Sequence, residues 1–199
     1  MSNVTNVKAK RFTDGTAAST TAVAALQTLG GAGNFTLAGG ATGFAGNNMG
    51  QKITLTSGGN ISAVTFTITG TDADGNTQSE DIAGPNATTV ATTKYYASVT
   101  QIAADAAVGT NTSAGYNTSQ AGIVFSGRTK IRGMHGIFNG AATVAFNNTS
   151  GSGTELMGMT VDSGDFDPYI PDNGVLFDAG AYVNIDVGKL TGLTVFFDG

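Results

Sequence analysis

The chain of 199 residues contains no cysteine and no tryptophan, one histidine and three prolines. Without cysteine there are no disulfides and no thiolate metal sites. With His135 as the single imidazole, a Ser/His/Asp triad or a histidine-based zinc centre would have to be built on that one residue. No serine sits in a Gly-x-Ser-x-Gly elbow. Aromatic residues make up only 8% of the chain, a poor supply for a sugar-stacking cleft, although acidic pairs for glycoside cleavage remain possible in composition. An enzyme therefore ranks behind two non-catalytic readings.

Charge is scarce as well. Charged residues are 12% of the chain, against about 25% in an average globular protein. The formal net charge is −5, with five basic and six acidic groups in residues 1–125 and four and eight in residues 126–199. That balance offers no basic face for nucleic acid. No apolar run reaches the roughly 20 residues that a membrane helix needs. The opening Met1-Ser2-Asn3-Val4-Thr5 has no signal-peptide apolar core, so the expectation is a chain made and used without secretion. On that expectation the Asn-x-Ser/Thr triplets at Asn34, Asn60, Asn86 and Asn117 are incidental.

What is abundant is glycine, at 30 residues, together with threonine in alternating patterns. The clearest stretch is Ile61–Thr77. Val64, Phe66 and Ile68 alternate with Thr65, Thr67 and Thr69, a period of two that places apolar side chains on one face of a strand and hydroxyls on the other. Gly70 ends the run, Asp72–Asn76 turns the chain, and Thr77–Ala83 returns. Upstream, Ile53-Thr54-Leu55-Thr56 repeats the alternation, so 53–83 reads as a β-meander.

Around this centre the chain divides by texture. Residues 1–16 hold the basic cluster Lys8, Lys10 and Arg11 ahead of an Asp14-Gly15 turn, and read as an arm or first strand. Ala17–Leu29 has helical capacity from its alanines and leucines but no charged residue, and is open to either a helix or an extended segment. Asn34–Ala38 reads as a short strand between glycine-rich loops that lack the Gly-Lys-Ser/Thr ending of a phosphate loop. Thr88–Ala103 and Val108–Tyr116 complete a first sheet system, with a joint at 120–127. Beyond it, Thr129–Phe138, Ala142–Phe146, Thr154–Val161, Gly174–Phe177, Ala181–Val187 and Leu193–Phe197 read as short strands punctuated by Gly, Asn and Ser. The prediction is an all-β protein with little helix: two small β-sandwich domains, immunoglobulin-like or jelly-roll-like, over residues 1–125 and 126–199.

Two acidic groups invite a metal reading. Asp72, Asp74, Asn76 and Glu80 start like a calcium loop, but Thr77 and Ala83 stand where the loop needs glycine and a bidentate glutamate, so a hairpin turn is expected. Asp162, Asp165, Asp167 and Asp172 form a looser cluster that reads as a solvated loop. His135, between Met134 and Gly136, is expected to be a packed or interfacial side chain. No catalytic, cofactor-binding or metal-binding residue is assigned.

The run from Val64 through Thr69-Gly70-Thr71-Asp72 to Asn76, then Glu80–Pro85 and Lys94–Ile102, resembles structural proteins of tailed bacteriophages. Ala24–Leu37 is similar to the lead-in of such proteins, and Ile131–Ile137, Gly153–Leu156, Tyr169–Gly174 and Leu193–Phe197 are similar to small β-sandwich modules of phage virions. The resemblance implies a capsid decoration (cement) protein on the virion surface, made in the host cytoplasm, that stabilises the head shell. Its implied partners are the major capsid protein and itself, as a homo-oligomer and most simply a trimer, with no nucleic acid, membrane or cofactor involved. The alternative it implies is a tail or fibre component with a receptor- or carbohydrate-binding sandwich. Leu193–Phe197 and Phe166–Pro171 are the segments expected at a subunit interface.

Overall fold

The structure, a computed structural model, describes residues 7–171 and 173–199. The expectations for Met1–Asn6 of the arm and for Asp172 of the acidic cluster lie outside the described residues. The strands are β1 (Val7–Phe12), β2 (Ser19–Leu29), β3 (Gly33–Asn34), β4 (Met49–Ser57), β5 (Thr65–Thr71), β6 (Thr77–Ala83), β7 (Thr89–Ala91) and β8 (Ser98–Ala104) in the first half. They continue as β9 (Val108–Phe125), β10 (Thr129–Phe138), β11 (Ala142–Asn148), β12 (Glu155–Val161), β13 (Gly164–Phe166), β14 (Val175–Phe177), β15 (Ala181–Asp186) and β16 (Leu190–Asp198). Helix among the described residues is one 3₁₀ turn, Gly39–Ala41. The fold is all-β, built from antiparallel sheets, as the turn spacing predicted.

The chain forms two compact units that interleave in sequence. The central unit comprises Gly15–Gly46 and Gly50–Thr118; the terminal unit takes residues up to Asp14, Asn47–Met49 and Ser119–Gly199. This differs from a division at residue 125 in two ways. The basic arm belongs with the C-terminal residues, because β1 pairs along its whole length with β16, from Val7↔Asp198 to Phe12↔Leu193. The joint expected at 120–127 is largely strand: β9 runs unbroken from Val108 to Phe125, and the unit boundary falls at Thr118/Ser119.

In the central unit, one sheet has the order β3-β8-β5-β6. The facing sheet contains β2, the first part of β9, β4 and β7. Side chains from both sheets fill one core: Val23, Ile53, Leu55, Phe66, Ile68, Ile102 and Val108 are fully buried in it. The alternation in β5 is realised as predicted, with Phe66 and Ile68 inside and Thr65, Thr67 and Thr69 outside. On the outer side the hydroxyls form cross-strand ladders, Thr67 Oγ1 to Asp81 Oδ1 at 2.6 Å and Thr71 to Ser98 at 2.7 Å. The meander was misplaced by one partner. β5 lies between β6 and β8, while Ile53–Thr56 belongs to β4 in the opposite sheet, where its apolar residues meet β5 across the core. Residues 19–29 form β2 and no helix: Val23 and Ala24 are buried in the core and the strand pairs irregularly with β9, so tertiary packing decides between two weak local preferences. The expected strand at Asn34–Ala38 is reduced to Gly33–Asn34, and Thr88–Ala103 splits into β7 and β8 around residues 92–97.

Gly70 marks a register shift between β5 and β8. A Cβ there would collide with the Ser98 carbonyl and stand 3.0 Å from the Tyr96 ring, so close backbone approach requires the glycine. Tyr96 is itself fully buried and donates to the Ile68 carbonyl at 3.1 Å. Burial pushes its pKa above the ordinary tyrosine value, with the Glu80 charge adding to the shift. In the folded state it keeps a proton that the unfolded chain releases near pH 10. The stability this contributes is therefore complete below about pH 10 and is lost as pH rises further. Urea midpoints should fall as pH rises above about 10, and the fall should be smaller in Tyr96→Phe.

The terminal unit is a second sandwich. One sheet has the order β1-β16-β10-β13, with β14 also on β10; the other contains β12, β11, β15 and residues 119–125 of β9. Phe12, Ile131, Phe146, Phe177, Val183, Leu193 and Val195 fill the core between them. The C-terminal strand is a packed one, hydrogen-bonded on both sides by β1 and β10. Asp14 ties the unit together. Its carboxylate accepts from Gln120 Nε2 at 2.6 Å, from the Gly188 amide at 2.6 Å and from the Leu190 amide at 3.3 Å, clamping the β15–β16 turn to the end of the N-terminal strand.

Candidate interaction surface

The calcium-like loop is a hairpin turn whose carboxylates serve the loop itself. Asp72 Oδ1 accepts from the amides of Asp74 and Asn76, both at 2.9 Å, and Asp72 Oδ2 accepts from Asn76 Nδ2 at 3.1 Å. Gly75 takes positive φ, +83°, at the turn. Glu80 points elsewhere: it accepts from the Thr93 amide at 2.8 Å, the Thr93 hydroxyl at 2.9 Å and the Lys94 amide at 2.9 Å. The expected outcome is that millimolar calcium leaves the melting temperature unchanged, whereas Asp72→Ala costs about 1 kcal/mol by removing the turn's acceptor. A calcium titration followed by calorimetry checks both.

Asp162, Asp165 and Asp167 are exposed around β13. No group of three or more His, Cys, Asp or Glu side chains among the described residues is placed to hold a metal ion. Nor is any helix among them long and apolar enough to cross a membrane. His135 is exposed on β10, so of the packed or interfacial side chain expected there, the packed alternative is corrected. The strand alternates there, and Met134 and Gly136 take the inward places. Phe166 of the segment expected at an interface packs edge-to-face on Phe138 at 6.0 Å, while Tyr169 stands out at 84% exposure.

The strand registers place His135 in an ordered surface. On the outer side of the β1-β16-β10-β13 sheet, four rows run across the strands. They are Val7/Asp198/Lys130, Ala9/Phe196/Gly133, Arg11/Thr194/His135 and Gly192/Ile137/Asp165. The alternate rows carry Phe12, Leu193, Val195 and Met134, all buried in the core, which fixes these four as the outward ones. Val7 is 46% exposed, Ile137 43% and Phe196 38%, so three large apolar side chains share one sheet face. Phe196 is flanked by Ala9 and Gly133, and its ring edge lies 3.8 Å from where a Gly133 Cβ would be. The Arg11 guanidinium lies over Gly192, with Nη2 3.1 Å from where a glycine Cβ would be, which brings its charge into the Ile137 row.

The central unit carries a cavity of about 430 Å³ lined by Ala18, Ser19, Thr20, Thr54, Thr89, Tyr116 and Asn117. All its polar groups are uncharged. Thr89 shares its hydroxyl with Thr56 at 2.8 Å, and Ser19 Oγ accepts from the Thr21 amide. Thr54 is 5% exposed at the cavity wall and takes no part in either bond. Neither this cavity nor the four-row face was legible in the sequence, because both depend on which strands are neighbours.

No family model, no curated protein and no solved structure matches this chain.

Proposed function

We propose that this protein is a structural component of a tailed-phage virion, a decoration protein that binds the head shell and stabilises it, with the major capsid protein and further copies of itself as partners. The observation that carries the reading is the outer face of the β1-β16-β10-β13 sheet, which sets exposed Phe196, Ile137 and Val7 on one antiparallel sheet. Such a face provides area and shape for association and requires no pocket. The carboxylates of Asp14, Asp72 and Glu80 are engaged by their own loops and strands, consistent with a structural role for these acidic residues. The resemblance of residues 24–37, 64–102 and 131–197 to phage virion proteins supplies the setting.

The test is copy number. Quantitative mass spectrometry of purified particles should find this chain in high, fixed ratio to the major capsid protein. A handful of copies per particle would contradict the decoration role and favour the tail or fibre reading. That second reading draws on one observation, the uncharged, hydroxyl-lined cavity beside Thr54, which suits a neutral hydroxylated ligand. Absence of the chain from particles would overturn both.

A further inference from the structure

We infer that the cavity of the central unit is a binding site for a neutral saccharide, with the Thr54 hydroxyl as the group that recognises it. Ile53 and Leu55 turn into the core, so Thr54 between them faces the other side of β4. An outward threonine on a strand is ordinarily wetted, yet Thr54 is only 5% exposed. Its hydroxyl makes no hydrogen bond among the described residues, and the cavity is the space that Thr54 lines. A buried hydroxyl without a partner is unfavourable, so the cavity calls for an occupant that can donate to it or accept from it. At about 430 Å³ the space far exceeds one water and falls within the range of small-molecule sites, roughly 300–1,000 Å³.

The wall narrows the occupant to one chemical class. No charged side chain lines the cavity, so an ionic ligand would lose its water with nothing to replace it. A purely apolar ligand would leave Thr54 unpaired. A sugar meets both conditions, because each of its hydroxyls donates and accepts, as those of Thr54, Thr20, Ser19 and Thr89 do. Two of these are already oriented. Ser19 Oγ accepts from the Thr21 amide at 3.4 Å, and the Thr89 hydroxyl shares a hydrogen bond with Thr56 at 2.8 Å. The carbon face of a sugar finds the threonine methyls and the Tyr116 ring, which stacks on Phe44 at 4.7 Å and is held in place by it.

The inference deepens the second reading of function, on whose cavity it rests, and the two fail separately. Copy number on particles decides between head and tail, whereas the site is tested on the purified full chain. The experiment follows backbone amide shifts by NMR while neutral hexoses and N-acetylhexosamines are added to roughly 50 mM, each as free sugar and as methyl glycoside. The expected result is saturable shifts at residues 18–20, 54, 89, 116 and 117 with at least one sugar. Glucuronate and glucosamine, the charged controls, should bind at least about tenfold more weakly. Thr54→Val, which removes the hydroxyl at nearly constant shape, should weaken binding about tenfold, and Thr54→Ser should retain it. Ala18→Phe, on the exposed wall, should block the cavity and abolish binding, with the amide spectrum showing that each variant is folded. No shift with any sugar, shifts confined to other residues, equal binding of glucuronate, or Thr54→Val binding like the wild type would each overturn the inference. Binding of both forms of a sugar identifies the end of a glycan chain, and binding of the free form alone a free sugar; either keeps the site. A sugar-binding chain found in high copy on heads keeps the site and removes the fibre role.

Discussion

Phe66→Ala should destabilise the central unit by about 3–5 kcal/mol. The ring is fully buried on β5 between the two sheets, packs edge-to-face on Phe35 at 5.6 Å, and closes against the backbone at Gly84, where a Cβ would stand 3.0 Å from it. Strands on both sides hold β5 in place, so the space left behind cannot easily collapse. The neighbouring Thr67→Ala is the control. Its hydroxyl donates to Asp81 on the outer face, where water can replace the bond, and the loss should stay under about 1 kcal/mol. Urea titrations of the two variants give the comparison. Equal losses would mean that β5 is covered on both faces in solution, contrary to the sandwich described here.

Asp14→Ala should cost the terminal unit about 2–4 kcal/mol through hydrogen bonds alone. The carboxylate is the common acceptor for Gln120 Nε2 and the amides of Gly188 and Leu190, at sequence separations of 106, 174 and 176 residues. Truncation leaves the buried Gln120 amide without this partner and frees the β15–β16 turn from the end of β1. Asp14→Asn keeps one acceptor oxygen and should lose about half as much, since bonds to a charged acceptor are the stronger ones. Calorimetry separates the two substitutions by place as well as size. If the units melt apart, Phe66→Ala lowers one transition and Asp14→Ala the other. A loss under about 0.5 kcal/mol for Asp14→Ala would show that the clamp is not holding the turn.

Strand identity was readable wherever alternation was strong and uninterrupted. Val64–Thr69 declared its inward and outward faces because β-branched threonines and apolar residues kept strict period two, and the structure keeps them apart in that way. The turn at Asp72–Asn76 was equally plain, since its residues have local reasons to turn. Partner choice was not readable. Nothing in Ile53–Thr56 says that it belongs to the sheet opposite β5, and nothing in Val7–Phe12 says that it pairs with the last strand, almost the whole chain away. Ala17–Leu29 lacked decisive local preference, and long-range packing made it a strand. The candidate surface failed to show for the same reason. His135, Phe196 and Arg11 are distant in sequence, and only the registers of β1, β16 and β10 bring them to one face.

The measurement that bears most directly on the proposed role is a cryo-electron microscopy reconstruction of the virion with this chain fitted into it. The account predicts density for both sandwiches over the head, at three-fold positions of the shell. Density confined to the tail, or heads whose surface is complete without this chain, would contradict it.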